Sequence, residues 1–93
     1  MFTPTIKLEH ADARGEIYSI ALPEERELLL LHSKKGSLRG GHSHTVPETV
    51  VILSGRMRYR KLNPIERDEE MVDGDTSYNP AGVVHMAEFL EDT

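Results

Sequence analysis

The sequence contains no cysteine, so neither disulfide bonds nor thiolate metal ligands are available to it. It contains no tryptophan either, and aromatic residues make up only 5% of the chain. No apolar run approaches the roughly 20 residues that a membrane-spanning helix needs, and the first ten residues lack the apolar core of a signal peptide. A metal site would have to use His, Asp or Glu, and we expect a cytoplasmic protein with no membrane partner.

The composition that remains is typical of a soluble globular domain. Of the 93 residues, 38% are hydrophobic and 29% are charged, and the formal net charge is −5. This length predicts a single domain over residues 1–93, and the acidic balance predicts no general attraction to nucleic acid. A basic run at Arg56–Lys61 is closely followed by an acidic run at 66–70. We interpret the basic run as the solvated face of a strand that pairs with the acidic one.

Short apolar runs separated by turn residues recur along the chain. The clearest lie at 49–53 (TVVIL), 56–62 (RMRYRKL) and 83–90 (VVHMAEFL). Eight or nine short strands at this spacing predict an all-β sandwich or barrel. The run at 27–32 (ELLLLH) predicts a strand buried on both faces. A helix over 23–32 is the alternative, because Glu, Arg and Leu favour helices.

Two histidines stand one residue apart shortly before the strand at 49–53. Because side chains alternate between the faces of a strand, His42 and His44 point the same way. A pair of histidines on a solvated strand is the ordinary alternative, so the pair indicates a metal site only if further ligands converge on it.

A single charged residue lies among apolar ones on one face of the strand that follows. A two-residue hairpin turn at Ser54 and Gly55 would bring residues of two strands together on that face. The face then carries Glu48 with four apolar or aromatic residues, Val50, Ile52, Met57 and Tyr59. Because a buried carboxylate is costly unless it is paired or bound to a cation, Glu48 predicts a positive partner inside the barrel.

A further imidazole, that of His85, stands at the start of the last strand. Its face also carries three apolar residues that we expect to point inward, Val83, Ala87 and Phe89. Two imidazoles from His42 and His44, the Glu48 carboxylate and His85 would form a site for one divalent transition metal ion, either Zn, Fe, Mn, Ni or Co.

These residues resemble the two sequence motifs of the cupin superfamily. The first motif, G-x5-H-x-H-x3-E-x6-G, is met without a gap by Gly36, His42, His44, Glu48 and Gly55. The second, G-x5-P-x-G-x2-H-x3-N, is met by Gly74, Pro80, Gly82 and His85, with Phe89 where the family usually has Asn. The resemblance implies a small jelly-roll barrel (a double-stranded β-helix) that holds one divalent metal ion per chain. It assigns the metal to His42, His44, Glu48 and His85, and it also implies a homodimer.

A narrower resemblance concerns the substrate. Residues 12–15 read D-x-R-G, and residues 39–40 read R-G just before His42. These features are similar to those of cupins that act on nucleotide-linked sugars in polysaccharide biosynthesis, which implies carbohydrate metabolism and a small polar metabolite or sugar as ligand. In several such proteins the histidine near the R-G is a general base that needs no metal. A metal-free isomerase or epimerase with His42 or His44 as base is therefore one alternative.

Several other residues are candidates for contact with a ligand. Tyr59 is the candidate for proton transfer, because the hairpin register points it inward. Arg39 is the candidate for an anionic group at the pocket mouth, and the remaining substrate-binding candidates are His32, Tyr78 and Met57. If the protein is an enzyme, the metal would polarise a carbonyl or hydroxyl group or activate water or O2, as in an oxygenase, an isomerase or an epimerase. A non-catalytic ligand sensor or carbohydrate-binding protein with the same pocket is the other alternative.

The C-terminal end adds an expectation about oligomerisation. The chain stops eight residues after His85, where small cupins usually continue with one or two more strands. Either N-terminal strands exchanged in a homodimer close the barrel, or the chain is a minimal version of it. Since proteins normally cover exposed sheet edges, the homodimer with exchanged strands is favoured.

Overall fold

The computed structural model describes residues 5–63 and 65–93, without the side chain of His42. These residues form strands and no helix, so the all-β prediction is confirmed and no membrane-crossing helix occurs among them. The strands are β1 (Thr5–Asp12), β2 (Gly15–Ala21), β3 (Glu27–Ser33), β4 (Leu38–His42), β5 (Glu48–Val51), β6 (Arg56–Lys61), β7 (Arg67–Val72), β8 (Thr76–Asn79) and β9 (His85–Phe89).

The strands form three antiparallel sheets. The first is the meander β1-β2-β3, the second has the order β4-β9-β6-β7, and the third is the pair β5-β8. Such crossovers between facing sheets are typical of a jelly roll. No strand pairing joins the three sheets within the ranges given above, so the barrel is open between them.

The core lies between the second and third sheets. Its buried cluster consists of Ile52, Met57, Tyr59, Met71, Ala87 and Phe89, with Val50 packed against it. Most of these residues come from β6, β7 and β9, whereas Val50 and Ile52 come from β5 and the residue that follows it. The two layers therefore face each other across a shared interior.

The three arginines of β6 lie on its outer face, as the sequence predicts, whereas the prediction of a solvated position is wrong for Lys61, which is buried on the inner face. Burial alternates strictly along the strand, so that every second residue faces solvent. Arg60 pairs with Asp68 of β7 at 2.7 Å, and Arg56 lies 3.3 Å from Glu70 of the same strand. Such exposed ion pairs are each worth at most about 1 kcal/mol, so they favour this pairing of strands without dominating stability.

The predicted two-residue hairpin at Ser54 and Gly55 is wrong. Strand β5 pairs with β8, and β6 pairs with β7 and β9, so this turn carries the chain from one layer to the other. Gly55 has a φ of 116°, and a Cβ there would lie 2.6 Å from the carbonyl oxygen of Asp92. The inward placement of Ile52 and Tyr59 is still confirmed, because strands of two facing layers both send alternate side chains into the space between them.

Strand β3 forms as predicted, but its burial differs. A strand occupies Glu27–Ser33 in place of the alternative helix, yet the four leucines at 28–31 are 40% to 52% exposed. Burial on both faces is wrong because β3 pairs along one side, with β2, and lacks a covering layer among the described residues. Strand β1 of the same sheet exposes Ile6 and Leu8. The first sheet is therefore apolar and open.

We expect Phe89→Ala to lower the free energy of unfolding by about 3–5 kcal/mol, because it removes a buried ring and leaves a cavity in the core. Urea unfolding followed by circular dichroism measures this loss. Leu53→Ala is the control, since Leu53 is 73% exposed and its truncation should change stability by less than about 0.5 kcal/mol. Equal losses in the two variants would contradict the placement of the core.

Candidate metal centre

Three ligand atoms, two from residues 44–48 and one from the start of β9, converge beside Tyr59. His44 Nε2 lies 3.3 Å from one carboxylate oxygen of Glu48, and His85 Nε2 lies 3.1 Å from the other. The rings of His44 and His85 are stacked with their centroids 5.4 Å apart. The three ligand atoms all lie within 4.8 Å of one another, so three of the four residues predicted as ligands are together.

Strand pairing sets these positions. His85 is the first residue of β9, and its Cα lies opposite His42 of β4 on one side and Lys61 of β6 on the other. Glu48 is the first residue of β5 and lies opposite Asn79, the last residue of β8. The group therefore sits where the ends of strands from two layers meet.

Glycine allows β4 to run close to β9 at this point. Gly40 has a φ of 112°, and a Cβ there would lie 2.5 Å from the carbonyl oxygen of His85. The strand pairing is irregular between Gly40 and His42, directly before the segment that carries His44. The close approach of β4 to His85 therefore requires glycine at position 40, the glycine of the R-G pair.

The spacing of the ligand atoms suits a transition metal ion. Imidazole nitrogens and carboxylate oxygens bind zinc at about 2.0–2.2 Å, so neighbouring ligand atoms on one ion lie about 3.0–3.5 Å apart. The separations of 3.1 and 3.3 Å fall in this range but involve different carboxylate oxygens of Glu48, and the ligand atoms taken one per residue lie within 4.8 Å of one another. The His85 side chain is 10% exposed and that of His44 is 40% exposed, so the group is accessible from the His44 side. The side chain of His42 lies outside the described residues, and its role as a ligand stays a prediction.

A buried hydrogen bond supports Glu48 from inside the core. The side-chain amide of Asn79 donates to Tyr59 Oη at 2.6 Å and reaches a carboxylate oxygen of Glu48 at 3.5 Å. Burial raises the pKa of Tyr59 to about 12, the hydrogen bond from Asn79 opposes that shift, and the negative charge of Glu48 adds to it. Tyr59 is therefore a neutral phenol at physiological pH, suited to donate a hydrogen bond and not to act as a base.

Arg39 and His32 contact residues outside the group of three ligand atoms. Arg39 Nε donates to Ser33 Oγ at 2.9 Å, which ties β4 to the end of β3, and burial lowers the pKa of Arg39. His32 lies on β3 of the open sheet, where its half-exposed ring is 2.9 Å from a carboxylate oxygen of Glu16. Their contact with a ligand stays a prediction.

The last two substrate-binding candidates lie in different surroundings. Met57 belongs to the buried core cluster and is 3% exposed. Tyr78 is largely exposed and borders a cleft together with Lys61. Of these two residues, Tyr78 is therefore the one that solvent or a ligand can reach.

Sequence reasoning missed two buried polar residues beside the ligand group, Lys61 and Asn79. Lys61 continues the inward alternation of Met57 and Tyr59 on β6, so its position could have been found from the sequence. Asn79 precedes Pro80, a pair that favours a turn, and only the pairing of β8 with β5 reveals that Asn79 ends a strand and points inward.

No family model matches the chain. Among curated proteins it is similar to the DNA damage-repair/toleration protein DRT102 of Arabidopsis thaliana, with 36% identity over 64 residues. The match covers 69% of this chain and 20% of that protein, so the chain spans about a fifth of this relative's length.

Solved structures resemble the chain over nearly its whole length. The capsular polysaccharide assembling protein CapF from Staphylococcus aureus has a TM-score of 0.72 and 23% identity, covering 100% of this chain and 26% of that one. CapF with the inhibitor 3-isopropenyl-tropolone has a TM-score of 0.76 and 23% identity, with coverage of 100% and 28%. A protein of unknown function from Acidithiobacillus ferrooxidans has a TM-score of 0.65 and 24% identity, with coverage of 96% and 78%. These likenesses show the fold alone, a small cupin-like β-fold, in agreement with the fold that the two motifs imply.

Because the pKa of Tyr59 is raised in the folded protein, we expect the free energy of unfolding to fall at alkaline pH. The unfolded phenol ionises near pH 10 and the folded one near pH 12. The stabilisation is therefore complete below about pH 10 and is lost as the pH rises through about 12. We expect the tyrosinate absorbance of the folded protein to contain a component near pH 12 that Tyr59→Phe removes. Tyr18→Phe is the matched control and should retain it. A component that survives in Tyr59→Phe would contradict the assignment.

Proposed function

We propose that this cupin-like domain holds one divalent transition metal ion through His42, His44, Glu48 and His85 and presents it to a small polar molecule. The observation that carries the proposal is the convergence of His44, Glu48 and His85, whose ligand atoms lie within 4.8 Å of one another. His42 is included because it is the remaining ligand residue of the two motifs and its backbone lies opposite His85. Four protein ligands leave open positions on a five- or six-coordinate ion.

A bound ion would supply a Lewis acid that polarises an oxygen of the ligand. The chain's own residues would orient the ligand groups and close the inner side of the site. Asn79 holds Tyr59 and reaches Glu48, which fixes the direction of the carboxylate. Tyr59 keeps its proton, since burial raises its pKa to about 12. The buried His85 closes the inner side of the site, so we infer that the ligand enters from the side of His44.

We infer that the small polar molecule is a sugar derivative. The D-x-R-G segment at 12–15 and the R-G pair at 39–40 resemble features of cupins that act on nucleotide-linked sugars. CapF, whose fold is similar to the whole of this chain, is a capsular polysaccharide assembling protein. The first indication comes from short sequence segments and the second from the course of the backbone.

Metal analysis of protein purified without added metal tests the central proposal, with titration by zinc, manganese, nickel or cobalt ions. We expect one ion per chain. His44→Ala should weaken metal affinity by at least about a hundredfold, because losing a residue that merely orients a ligand already costs about 10–100-fold. His32→Ala is the matched control, since its ring is exposed on another sheet and bonded to Glu16. Unchanged affinity in His44→Ala would contradict the ligand assignment.

Two further measurements separate the rival functions. Turnover of a nucleotide-linked sugar that survives complete removal of metal would favour an isomerase or epimerase with a histidine base. His44 is then the candidate, because Glu48 lies 3.3 Å from it. A tight sugar complex that yields no product over hours would favour a sensor or carbohydrate-binding protein.

We also propose that a second copy of the chain covers the open sheet β1-β2-β3. That sheet exposes Ile6, Leu8 and the leucines at 28–31, and every residue of β1 is exposed. Large apolar surfaces and free strand edges favour association. A copy related by two-fold symmetry offers the same apolar strands, so the contact is self-complementary. The strand we expect to be exchanged is β1.

Size-exclusion chromatography with light scattering tests this proposal. We expect wild-type protein at twice the mass of the chain, and a monomer when Leu29→Lys and Leu31→Lys are combined, because two ammonium groups would be buried in the contact. Leu53→Lys is the matched control, since Leu53 is exposed outside this sheet, and it should remain dimeric. A wild-type protein that is monomeric at every concentration would exclude the dimer.

A further inference from the structure

Lys61 is a buried lysine beside the candidate metal centre. It is 8% exposed, ends the inner face of β6 and lies opposite His85 on β9. Lysine is rarely buried without a partner of opposite charge, because its ammonium group is strongly hydrated. The position of Lys61 therefore calls for a partner at this end of the interior.

The chain satisfies the Lys61 ammonium incompletely. Its Nζ donates to the backbone carbonyl oxygen of Tyr78 at 3.2 Å. The carboxylate of Glu69 is 3.9 Å away, beyond hydrogen-bond range, and lies closer to Arg67, at 3.3 Å. An ammonium group has three donors, so two of those on Lys61 have no acceptor in range within residues 5–63 and 65–93. Besides Glu69 and Arg67, the groups around it include the Tyr59 ring, whose centroid is 6.0 Å from Nζ, and His85 on the facing strand.

The ammonium borders a cleft of about 470 Å³ between the loops that follow β6 and β8. This volume lies within the range of about 300–1,000 Å³ that is usual for small-molecule sites. Arg67 adds a second cation to its wall, and the remaining surface is mainly apolar, from Ile65, Tyr78, Pro80 and Val83. The cleft thus combines positive charge at one position with apolar walls around it.

Asn63 fixes the shape of this cleft. Its side-chain amide donates to the carbonyl oxygen of Gly82 at 3.0 Å, and its side-chain oxygen accepts from the backbone N–H of Val84 at 2.6 Å. One side chain therefore ties the loop after β6 to the loop after β8. The cleft walls are held in place without a ligand, which lowers the entropic cost of binding one.

We propose that this cleft binds the anionic group, carboxylate or phosphate, of a small organic molecule, and that Lys61 is the cation that binds it. The two unused donors of Lys61 supply the hydrogen bonds, and the apolar walls contact the body of the molecule. Because cross-strand neighbours on one face have Cβ atoms about 4.5–5.5 Å apart, the anion site adjoins His85. One molecule then reaches both the anion site and the ion, a link that rests on the proposed metal-binding function.

The test compares isobutyrate with isobutyramide, its uncharged analogue of the same shape, by NMR titration of metal-free wild-type protein. We expect isobutyrate to shift the amide signals of residues 61–67 and 78–84. Isobutyramide should bind at least about tenfold more weakly, because it lacks the charge-assisted hydrogen bonds. Inorganic phosphate in a parallel titration decides which anion the site prefers. Equal binding of isobutyrate and isobutyramide would overturn the proposal without the need for any variant.

Variants then assign the cation. Lys61→Met keeps the aliphatic stem and should lose at least about tenfold in isobutyrate affinity, whereas Lys61→Arg should retain most of it. Lys35→Met, which removes an exposed lysine, is the matched control and should bind isobutyrate as the wild type does. Wild-type affinity in Lys61→Met would overturn the assignment.

The same variant separates this inference from the metal proposal. Lys61 is not a predicted ligand, so Lys61→Met should still bind one metal ion per chain. If metal binds and isobutyrate affinity does not depend on Lys61, the anion site is wrong and the metal site stands. If isobutyrate binding depends on Lys61 and no metal binds, the anion site stands and the metal proposal fails.

Discussion

The interior of this protein is organised around one carboxylate, that of Glu48. It lies within 3.1 to 3.5 Å of His85, His44 and Asn79. The Glu48 side chain is 32% exposed, and partial removal of a carboxylate from water costs free energy unless opposite charge and hydrogen-bond donors replace the lost hydration. Here the replacement is supplied by imidazoles on one side and by an amide on the other, and the same arrangement is the candidate metal site. The requirement that makes the site stable is thus also the one that makes it a candidate for function.

The carboxylate also joins the two layers of the fold. Glu48 and Asn79 end strands of the third sheet, whereas Tyr59 and His85 belong to the second. The hydrogen bond from Asn79 to Tyr59 and the contact between Glu48 and His85 cross the interior between the sheets. No strand pairing performs this task in the described part of the chain, so these polar contacts and the apolar cluster together hold the layers in register. Removing the polar contacts of the site would therefore destabilise one end of the fold. Removing the apolar cluster would separate the side chains that form the site.

What the sequence predicts well is what depends on alternation along one strand. The inward direction of Tyr59 and His85 follows from the two-residue period of a strand, and it survives even though the hairpin used to argue it does not exist. Pairing of β5 with β8 joins segments some thirty residues apart, and no local pattern carries that information. The exposure of the leucines on β3 depends on whether another layer lies over them, which the composition of the strand cannot express. The inward direction of Lys61 follows from the same alternation, but lysine is usually exposed, so the two signals in the sequence conflict.

Along the inner face of β6 and β9, strand register places the residues of the core at one end and those of the candidate site at the other. The cross-strand pairs run from Met57 with Phe89, through Tyr59 with Ala87, to Lys61 with His85. Each pair is more polar than the one before, so the interior changes from a dry core to a charged mouth within six residues of β6. The proposed anion site and the proposed metal site both lie at the last of these three levels. We expect substitutions in the pair Met57 and Phe89 to destabilise the domain. Substitutions in the pair Lys61 and His85 should instead alter what it binds, because this pair lies between the core and the cleft.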